Sequence, residues 1–379
     1  MDFNFTEEQE LIKQNTREFA LENLEPIAAE LDRTGRYPAE TMQKLAELDF
    51  MGMPYPEEYG GVGADFLSYI LVVEELSRSC ASTGIIYAAH CSLACWPIYK
   101  WGSEELKQQY LVPMCKGEKL GAFALTEPSA GTDAASVKCT AILEGDEYVL
   151  NGTKCFITNG GVADVYVIIA QTNPTVGVRG LSAFVVDANL PGFEIGKHEE
   201  KMGIRGSQTT ELIFKNCRIP KTNLIGKSGR GFVIAMGTFD GGRIGVAAQA
   251  VGIAQAALDE AAKFAKERVQ FGSPIASNQA IQWMLADMAT QIQAARFLTY
   301  HAAALKGADK PYTKEAAMAK LFAAETADFV CNKAIQVHGG YGFIKDFKVE
   351  RLYRDAKICS LYEGTSEVQR MIISGSVLR

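Results

Sequence analysis

The pattern of apolar residues changes twice along this chain of 379 residues, and this change most constrains its fold. In the first third, and again from about residue 231 onward, apolar residues recur at the spacing of amphipathic helices. Between these parts, short β-rich runs follow one another with Gly, Pro and Asn between them. Strands without intervening helices predict an antiparallel sheet or small barrel rather than a parallel βαβ sheet.

A chain of this length exceeds what one hydrophobic core supports, so we expect it to form separate domains. The pattern predicts an α+β fold with an N-terminal helical domain over residues 1–120 and a middle antiparallel β domain over residues 121–230. A C-terminal helical domain, a four-helix bundle, is predicted over residues 231–379.

Local signals support this division. Thr6 and Gln9 can form a capping box at the start of the first helix, and Pro38 suits the first turn of a later one. In the middle domain, Gly145-Asp146 predicts the turn of a β-hairpin. Further strands are expected over residues 165–170, 181–186 and 211–214.

Charge and hydropathy exclude some classes of function. The formal net charge is −7 and Lys and Arg are scattered, so the sequence predicts no surface for nucleic acid or for an anionic membrane. No apolar run reaches the roughly 18 residues that a membrane span needs. The acidic start does not match a signal peptide. We therefore expect a cytoplasmic bacterial protein, or a mitochondrial matrix protein if the chain is a processed eukaryotic form.

The nine cysteines are dispersed, with no CxxC pair, and the four histidines form no ligand pattern with them. The sequence therefore predicts no metal site and reduced thiols. His90, Cys91 and Cys95 form one cluster at helical spacing, which we interpret as buried core residues.

Two glycine-rich segments resemble nucleotide-binding loops only superficially. Residues 226–231 (GKSGRG) do not match GxGxxG and do not join a strand to a helix within a βαβ unit. Residues 339–342 (GGYG) follow a helix, where glycine commonly ends it. A nicotinamide-dependent enzyme is therefore disfavoured.

Two other segments offer chemistry. Residues 123–133 (FALTEPSAGTD) lie at the helix-to-strand junction and provide hydroxyls and backbone amides that can hold a polar ring edge or phosphates. Residues 362–367 (YEGTSE) precede a final helix, whose N-terminal amides can bind an anion. From composition alone, an ordinary turn and an ordinary helix cap remain open as interpretations of these segments.

Six motifs in order resemble those of the acyl-CoA dehydrogenase family over the whole chain, most closely its short- and medium-chain bacterial members. They are LTEPSAGTD (125–133), FITNG (156–160), DGGR (240–243), RVQFG (268–272), QVHGGYGF (336–343, followed by Asp346, Arg351 and Asp355) and YEGT (362–365). The resemblance implies FAD-dependent dehydrogenation of an acyl-CoA thioester to the 2-enoyl-CoA. It also implies the order of helical, β and helical-bundle domains that the patterns predict.

The resemblance further implies the roles of individual residues. Glu363 would abstract the α-proton while flavin N5 takes the β-hydride, with the Glu363 backbone N–H and an FAD ribityl hydroxyl binding the thioester oxygen. The acyl-CoA would be contacted by Thr132, Asp240, Arg243 and Gly364. FAD would be contacted by Phe123, Leu125, Thr126, Thr132, Phe156, Thr158, Arg268, Gln270, Gln279, Gln336, Gly339, Gly340, Thr365, Ser366 and Glu367. Glu127, the competing carboxylate, is assigned a structural role.

The implied partners are an acyl-CoA substrate, an electron-transferring flavoprotein and further copies of the chain in a homotetramer. Residues 268–279 and 336–340 would then reach the FAD of a neighbouring subunit. Residues 81–98, expected to line the acyl pocket, contain no Arg or Lys. A substrate with a second carboxylate is therefore disfavoured, whereas short straight, branched, aromatic and alicyclic acyl groups stay open. A flavin acyl-CoA oxidase on the same fold and a non-catalytic acyl-CoA-binding module are the alternatives.

Overall fold

The computed structural model describes residues 4–378, with helices at both ends of this part and strands in its middle. The first eight helices are α1 (Glu7–Asn23), α2 (Ala28–Thr34), α3 (Ala39–Glu47), α4 (Phe66–Ser79), α5 (Ala81–Ala88), α6 (Trp96–Trp101), α7 (Glu104–Leu106) and α8 (Val112–Cys115). Those after residue 230 are α9 (Gly231–Glu267), α10 (Gln279–Gly307), α11 (Thr313–His338), α12 (Lys348–Ala356) and α13 (Ser366–Val377). Two π-helical segments, Ala89–Cys95 and Lys107–Leu111, join α5 to α6 and α7 to α8.

The strands follow α8. They are β1 (Gly121–Ala124), β2 (Thr140–Glu144), β3 (Glu147–Thr158), β4 (Val165–Gln171), β5 (Leu181–Asp187), β6 (Phe193–His198), β7 (Thr209–Pro220), β8 (Leu224–Ile225), β9 (Val269–Gln270) and β10 (Ser273–Pro274). The predicted runs at residues 165–170, 181–186 and 211–214 all fall within strands. The predicted turn at Gly145-Asp146 joins β2 to β3.

The main sheet has the strand order β6-β7-β3-β2-β4-β5-β8, and β1 lies beside β4. Its long ladders are antiparallel, as predicted, but β4 has two short parallel pairings that correct the prediction. One joins Thr140 of β2 to Gln171 of β4. The other pairs β1 with β4, from Gly121 opposite Val165 to Ala124 opposite Ile168. A parallel pair needs a long connection, and residues 125–164 provide it, because they contain the loop after β1 and the β2–β3 hairpin. The sheet is therefore mixed.

The helix signals read from the sequence agree with the observed caps. The Thr6 hydroxyl accepts the Gln9 N–H at 3.2 Å, and the Gln9 side chain accepts the Thr6 N–H at 3.0 Å, which completes the predicted capping box. Pro38 is the N-cap of α3. Gly339, with a φ of +60°, ends α11, so the GGYG segment terminates a helix as expected.

The C-terminal part is built on three long helices. α11 packs against α9 and α10 and also carries the shorter α12 and α13, so short helices complete the predicted bundle. Small residues allow this close packing, since Ala316, Ala323 and Ala327 of α11 are all buried. Helix α4 of the N-terminal part packs on α9 as well. An ion pair between Arg296 and the buried Glu74, at 2.9 Å, joins α10 to α4.

The cysteines lie in the core. All nine are free and buried, including Cys91 and Cys95 of the π-helical segment. His90, beside them, accepts the Gly121 N–H at 3.0 Å through Nδ1 and donates through Nε2 to the Met114 carbonyl at 3.1 Å. Across residues 4–378, we find no group of His, Cys, Asp and Glu side chains placed to hold a metal ion. In the same part of the chain, every helix is too short or too polar to cross a bilayer.

Candidate active site

Glu363 lies in a left-handed turn immediately before α13. Its φ is +51° and that of Gly364 is +92°. Left-handed backbone costs a non-glycine residue about 1–2 kcal/mol, so it persists only where surrounding contacts enforce it. Thr365 is the N-cap of α13, and its hydroxyl accepts the Val368 N–H at 3.4 Å. The turn therefore fixes the direction in which the Glu363 side chain leaves the backbone.

The Glu363 carboxyl group lies against α9. A Cβ atom on Gly242 would lie 2.2 Å from Glu363 Oε2 and 2.6 Å from Leu93 Cδ2, so glycine leaves the room that the carboxyl occupies. Oε2 is buried without a hydrogen-bond partner in residues 4–378, although the residue as a whole stays partly exposed. Burial raises the pKa of Glu363 to about 7, against the opposing charges of Arg243 and Lys320. A carboxyl group that has one oxygen without a hydrogen-bond partner and a pKa near neutrality is suited to act as a general base.

Arg243 connects this turn to α9. Its Nε donates to the Glu363 carbonyl at 3.2 Å, and its Nη1 forms an ion pair with Asp240 Oδ1 at 2.7 Å. Asp240 Oδ2 in turn accepts the Thr313 hydroxyl at 2.6 Å. The structure thus brings the predicted base together with Asp240, Arg243 and Gly364, three of the four residues predicted to contact acyl-CoA.

Glu127, the competing carboxylate, is held by direct contacts. Its Oε1 accepts Lys154 Nζ at 2.7 Å and the Cys139 N–H at 2.9 Å, and its Oε2 accepts the Lys138 N–H at 2.7 Å. Lys154 also donates to the Leu125 carbonyl at 2.9 Å and is fully buried. Through Lys154, these contacts attach the loop after β1 to strand β3. They support the structural role assigned to Glu127, since both of its oxygens are already engaged.

Phe156 is an exposed member of the predicted flavin contacts in the middle domain. The side chain is 64% exposed, and its φ is +57°, which is unfavourable for an aromatic residue. It lies where the register between β3 and β7 shifts, between Lys154 and Ile157. This bulge turns a large aromatic side chain out of the sheet instead of into the core. Such a surface is suited to packing on a planar ring.

Two other predicted flavin contacts of the middle domain, Thr126 and Thr158, lie close to Phe156. The Thr126 carbonyl accepts the Cys155 N–H at 2.9 Å, and Thr158 ends the same strand. Phe123 of β1 is buried, with its ring edge-on to Phe239, beside Asp240, at 5.4 Å. This contact connects the β1 loop to the start of α9. Thr132 lies on the exposed part of the loop and makes no hydrogen bond within residues 4–378, so its predicted double role stays a prediction.

The N-terminus of α13 meets the requirements for holding a polar cofactor. The Ser366 hydroxyl is buried and has no partner in the described part of the chain, and the same holds for Gln369 Oε1. Glu367 is exposed in the first turn. A 12-residue helix directs free N–H groups and a partial positive charge along its axis at this end. These unsatisfied groups fit a polar part of FAD, and the exposed ring of Phe156 fits an aromatic part.

A second group of predicted FAD contacts lies elsewhere. Arg268, Gln270, Gly339 and Gly340 line a cavity of about 440 Å³, where the Arg268 guanidinium lies 5.2 Å from the centre of a tyrosine ring. Gln336 lies in the last turn of α11 and Gln279 at the start of α10, and both side chains are exposed. The cavity is also lined by Phe264 near the end of α9. Phe264 is roughly 20 residues beyond Arg243 on the same helix, or roughly 30 Å at 1.5 Å per residue. The structure therefore does not join this group to Glu363 within one chain.

Two side chains at the Glu363 turn were not predicted from the sequence. Lys320 Nζ and Gln369 Nε2 each donate to the Gly364 carbonyl at 2.8 Å, and both side chains are fully buried. A signal for Lys320 was available, because it lies on the same helical face as the buried Ala316 and Ala323, where a lysine needs a specific partner. The sequence offers no comparable signal for Gln369.

Comparison with known proteins adds a third line of evidence. Models of the N-terminal, middle and C-terminal domains of acyl-CoA dehydrogenases match residues 6–118, 122–217 and 229–378. The short-chain specific acyl-CoA dehydrogenase of Clostridium acetobutylicum is 56% identical over 379 residues, covering all of both chains. The structure of butyryl-CoA dehydrogenase from Megasphaera elsdenii is 48% identical, with a TM-score of 0.99 and complete coverage of both chains. A chain from a structural study of the electron transferring flavoprotein of Acidaminococcus fermentans and flavin-based electron bifurcation is 54% identical, with the same TM-score and coverage.

Proposed function

Because the chain belongs to the acyl-CoA dehydrogenase family, and is therefore an FAD-dependent oxidoreductase that dehydrogenates acyl-CoA thioesters, we propose that Glu363 is its catalytic base. The observation that carries this proposal is the buried Glu363 Oε2, which has no partner in residues 4–378. FAD, when bound, supplies the oxidant that accepts the hydride from the β-carbon. The chain itself must bind the thioester, remove the α-proton and exclude water.

The carboxyl group must be made more basic than a carboxylate in water, because a hydrogen α to a thioester is only weakly acidic. Burial has this effect already in the free protein, where it raises the pKa of Glu363 to about 7. The base is therefore largely ionised only above neutrality. An acyl chain that fills the remaining space beside Gly242 and Leu93 removes further water and strengthens the base.

The growing negative charge on the thioester oxygen needs a donor. The Glu363 backbone N–H donates to no acceptor in the described part of the chain, so it is free to bind that oxygen. The strained turn holds this N–H in place before the substrate arrives. A donor fixed in advance and aimed at charge that develops in the transition state is the arrangement that stabilises an enolate.

We further propose a short acyl group as the substrate. Leu93 and the Glu363 carboxyl both approach α9 at Gly242, which indicates limited space beside the base. The named relatives include a short-chain specific enzyme and a butyryl-CoA dehydrogenase. Turnover with butyryl-, isovaleryl-, octanoyl- and cyclohexanoyl-CoA and an artificial electron acceptor tests this proposal. We expect butyryl-CoA to have the highest kcat/KM, and a preference for octanoyl-CoA would contradict it.

The separation of the two groups of FAD contacts supports a further proposal, that the protein is a homotetramer. The cavity at Arg268 lies too far from Glu363 to serve one flavin within one chain, so it would bind part of the FAD of a neighbouring copy. Phe271 and Phe343, close to this cavity in sequence, are almost fully exposed, as expected of residues that a second copy covers. Sedimentation of the holoenzyme should give a tetramer. A monomer that retains FAD would contradict the proposal.

We also propose an electron-transferring flavoprotein as the acceptor, in line with the similar chain from the study of such a flavoprotein. Transfer of electrons from the substrate-reduced enzyme to that flavoprotein, measured with oxygen as a competing acceptor, tests this directly. Rapid reoxidation by oxygen alone would favour an oxidase instead. Purified protein without flavin would favour the non-catalytic acyl-CoA-binding alternative.

Replacement of Glu363 by Gln tests the base. Gln keeps the size of the side chain but cannot accept the proton, so we expect Glu363→Gln to retain FAD and acyl-CoA binding and to lose at least ~100-fold in kcat. The measurement is single-turnover reduction of the bound flavin, with FAD content and thioester affinity determined on the same sample. A near-normal rate of flavin reduction in this variant would show that another residue is the base.

A further inference from the structure

The Glu363–Gly364 turn is held by three buried side chains that come from three different helices. The Glu363 carbonyl accepts Arg243 Nε and Gln369 Nε2, each at 3.2 Å. The Gly364 carbonyl accepts Lys320 Nζ and Gln369 Nε2, each at 2.8 Å. Two consecutive carbonyl groups therefore receive four hydrogen bonds. This is the set of contacts that enforces the left-handed backbone of the turn.

Lys320 differs from Arg243 in how its charge is balanced. Arg243 is paired with Asp240 at 2.7 Å. Lys320 is fully buried, and no carboxylate of residues 4–378 lies within 4 Å of its Nζ. Its hydrogen bond goes to a neutral carbonyl, which cannot compensate a full charge in a buried site. Burial accordingly lowers the pKa of Lys320 to about 8, against the opposing charge of Glu363.

Two phenols also face Glu363, and both are uncharged. Tyr69 of α4 and Tyr362, its chain neighbour, feel its charge, but burial holds the pKa of both phenols well above the usual value. Burial likewise raises the pKa of the Cys359 thiol, next to Lys320, to about 12. Arg243 and Lys320 are the two cations that act on the Glu363 carboxyl, and of these two Lys320 is the one without a carboxylate partner in residues 4–378.

We propose that Lys320 is a positioning residue for the catalytic base: its ammonium group fixes the Glu363–Gly364 turn and provides a positive charge that partly offsets the desolvation of the Glu363 carboxyl. This inference rests on the proposed function of Glu363. The carboxyl needs such a charge because it is dry and its Oε2 has no hydrogen-bond donor. Lys320 acts through the base and contacts no reacting atom.

Four variants separate charge from hydrogen bonding. Lys320→Met removes both, Lys320→Gln can keep a donor without the charge, and Lys320→Arg keeps the charge. Gln369→Met is the matched control, because Gln369 donates to the Gly364 carbonyl as Lys320 does, and to the Glu363 carbonyl, but carries no charge. Replacing a buried lysine by methionine leaves no unpaired charge, so we expect the Met variant to fold. Retained FAD and unchanged oligomeric state are checked first.

Two measurements are made from pH 5.5 to 9.5. The first is kcat/KM for butyryl-CoA. The second is exchange of the α-hydrogens of acetyl-CoA in D2O, which lacks a β-carbon and so cannot be dehydrogenated. In that exchange the Glu363 carboxylate takes the α-proton, the carboxylic acid exchanges its proton for a deuteron from the solvent, and the deuteron returns to the enolate carbon. No electrons are transferred, so the exchange reports on the base alone.

In both profiles, the rise in activity with pH as Glu363 ionises is the acid limb. We expect this limb to move to higher pH by about 1 unit or more in Lys320→Met and Lys320→Gln, because the positive charge near the Glu363 carboxyl is lost. Lys320→Arg should not move the limb. Gln369→Met should lower the plateau at every pH without moving the limb. An unmoved limb in Lys320→Met, with Glu363→Gln inactive, would overturn the role of Lys320. Normal exchange in Glu363→Gln would instead overturn the assignment of the base itself.

Discussion

Two glutamates of this protein, Glu127 and Glu363, each lie in a motif of the family and have opposite surroundings. Glu127 binds one ammonium group and two backbone amides through its carboxyl oxygens. Glu363 is held through its backbone carbonyl, while its Oε2 has no partner in residues 4–378. One carboxylate therefore stabilises the fold, and the other is kept by the fold in a state that disfavours its charge.

The difference shows how a folded chain separates structural from reactive carboxylates. A carboxylate whose oxygens accept hydrogen bonds has no free oxygen with which to take a proton from a substrate. A carboxylate held only through its backbone keeps both oxygens for chemistry, at the cost of its own desolvation. The two buried lysines nearby show the same contrast. Lys154 forms an ion pair with Glu127, whereas Lys320 donates only to the backbone carbonyl of Gly364.

The largest expected effect is on stability at Glu127. Glu127→Gln leaves the fully buried Lys154 ammonium without its anion, so we expect a loss of about 3–5 kcal/mol in the free energy of unfolding. Urea-induced unfolding at fixed protein and FAD concentrations measures it. Lys215→Met, which breaks an exposed ion pair with Glu194, is the control and should change little. Wild-type stability in Glu127→Gln would remove the distinction between the two glutamates.

A second effect concerns stability at Glu363, with the opposite sign. The pKa of Glu363 is raised in the folded protein from 4.5 to about 7, so the folded state binds this proton more tightly and loses stability as pH rises through that window. Glu363→Gln removes the titrating group. We expect it to be about 3 kcal/mol more stable than the wild type at pH 8, with the difference vanishing near pH 4.5. Unfolding measured at both pH values tests this, and equal stability at pH 8 would argue against a desolvated carboxyl.

A third prediction concerns the space beside Glu363. Gly242→Ala places a methyl group 2.2 Å from the present position of Oε2, so the carboxyl must move. Displacement of a catalytic group by about 1 Å can lower the reaction rate by up to ~100-fold. We therefore expect kcat/KM to fall by at least ~10-fold, with little change in the free energy of unfolding. Gly245→Ala is the control on the same helix, since its methyl group would approach no atom closer than 3.5 Å. Equal activity in the two variants would show that the position of the carboxyl is not restricted there.

The smallest effect is expected at the cap of α13. Thr365→Ala removes the hydroxyl that accepts the Val368 N–H, which costs about 1 kcal/mol in the free energy of unfolding. The same loss loosens the backbone that holds Glu363, so kcat should fall modestly while the pH dependence stays the same. Thr365→Ser keeps the oxygen and should restore both. A shift in the pH profile of Thr365→Ala would mean that the cap affects the charge of the base as well as its position.

Local sequence patterns predicted those features of the fold that are formed by residues close together in the chain. The capping box at Thr6 and Gln9 and the hairpin turn at Gly145-Asp146 each involve residues a few positions apart, and both are present. The parallel pairing of β1 with β4 joins residues more than 40 positions apart, so no local pattern revealed it. The bulge that exposes Phe156 likewise depends on the register between β3 and β7.

The motifs themselves identified Glu363 and, by resemblance, the chemistry that a carboxylate there would perform. What the sequence alone determined is therefore the order of helical and β segments, the helix caps and the residues available for catalysis. The tertiary structure decided which carboxylate is free, because burial, the approach of α9 at Gly242 and the unneutralised charge of Lys320 arise only when distant helices meet. Desolvation and charge balance depend on everything within a few ångströms, and neighbours in space are not neighbours in sequence.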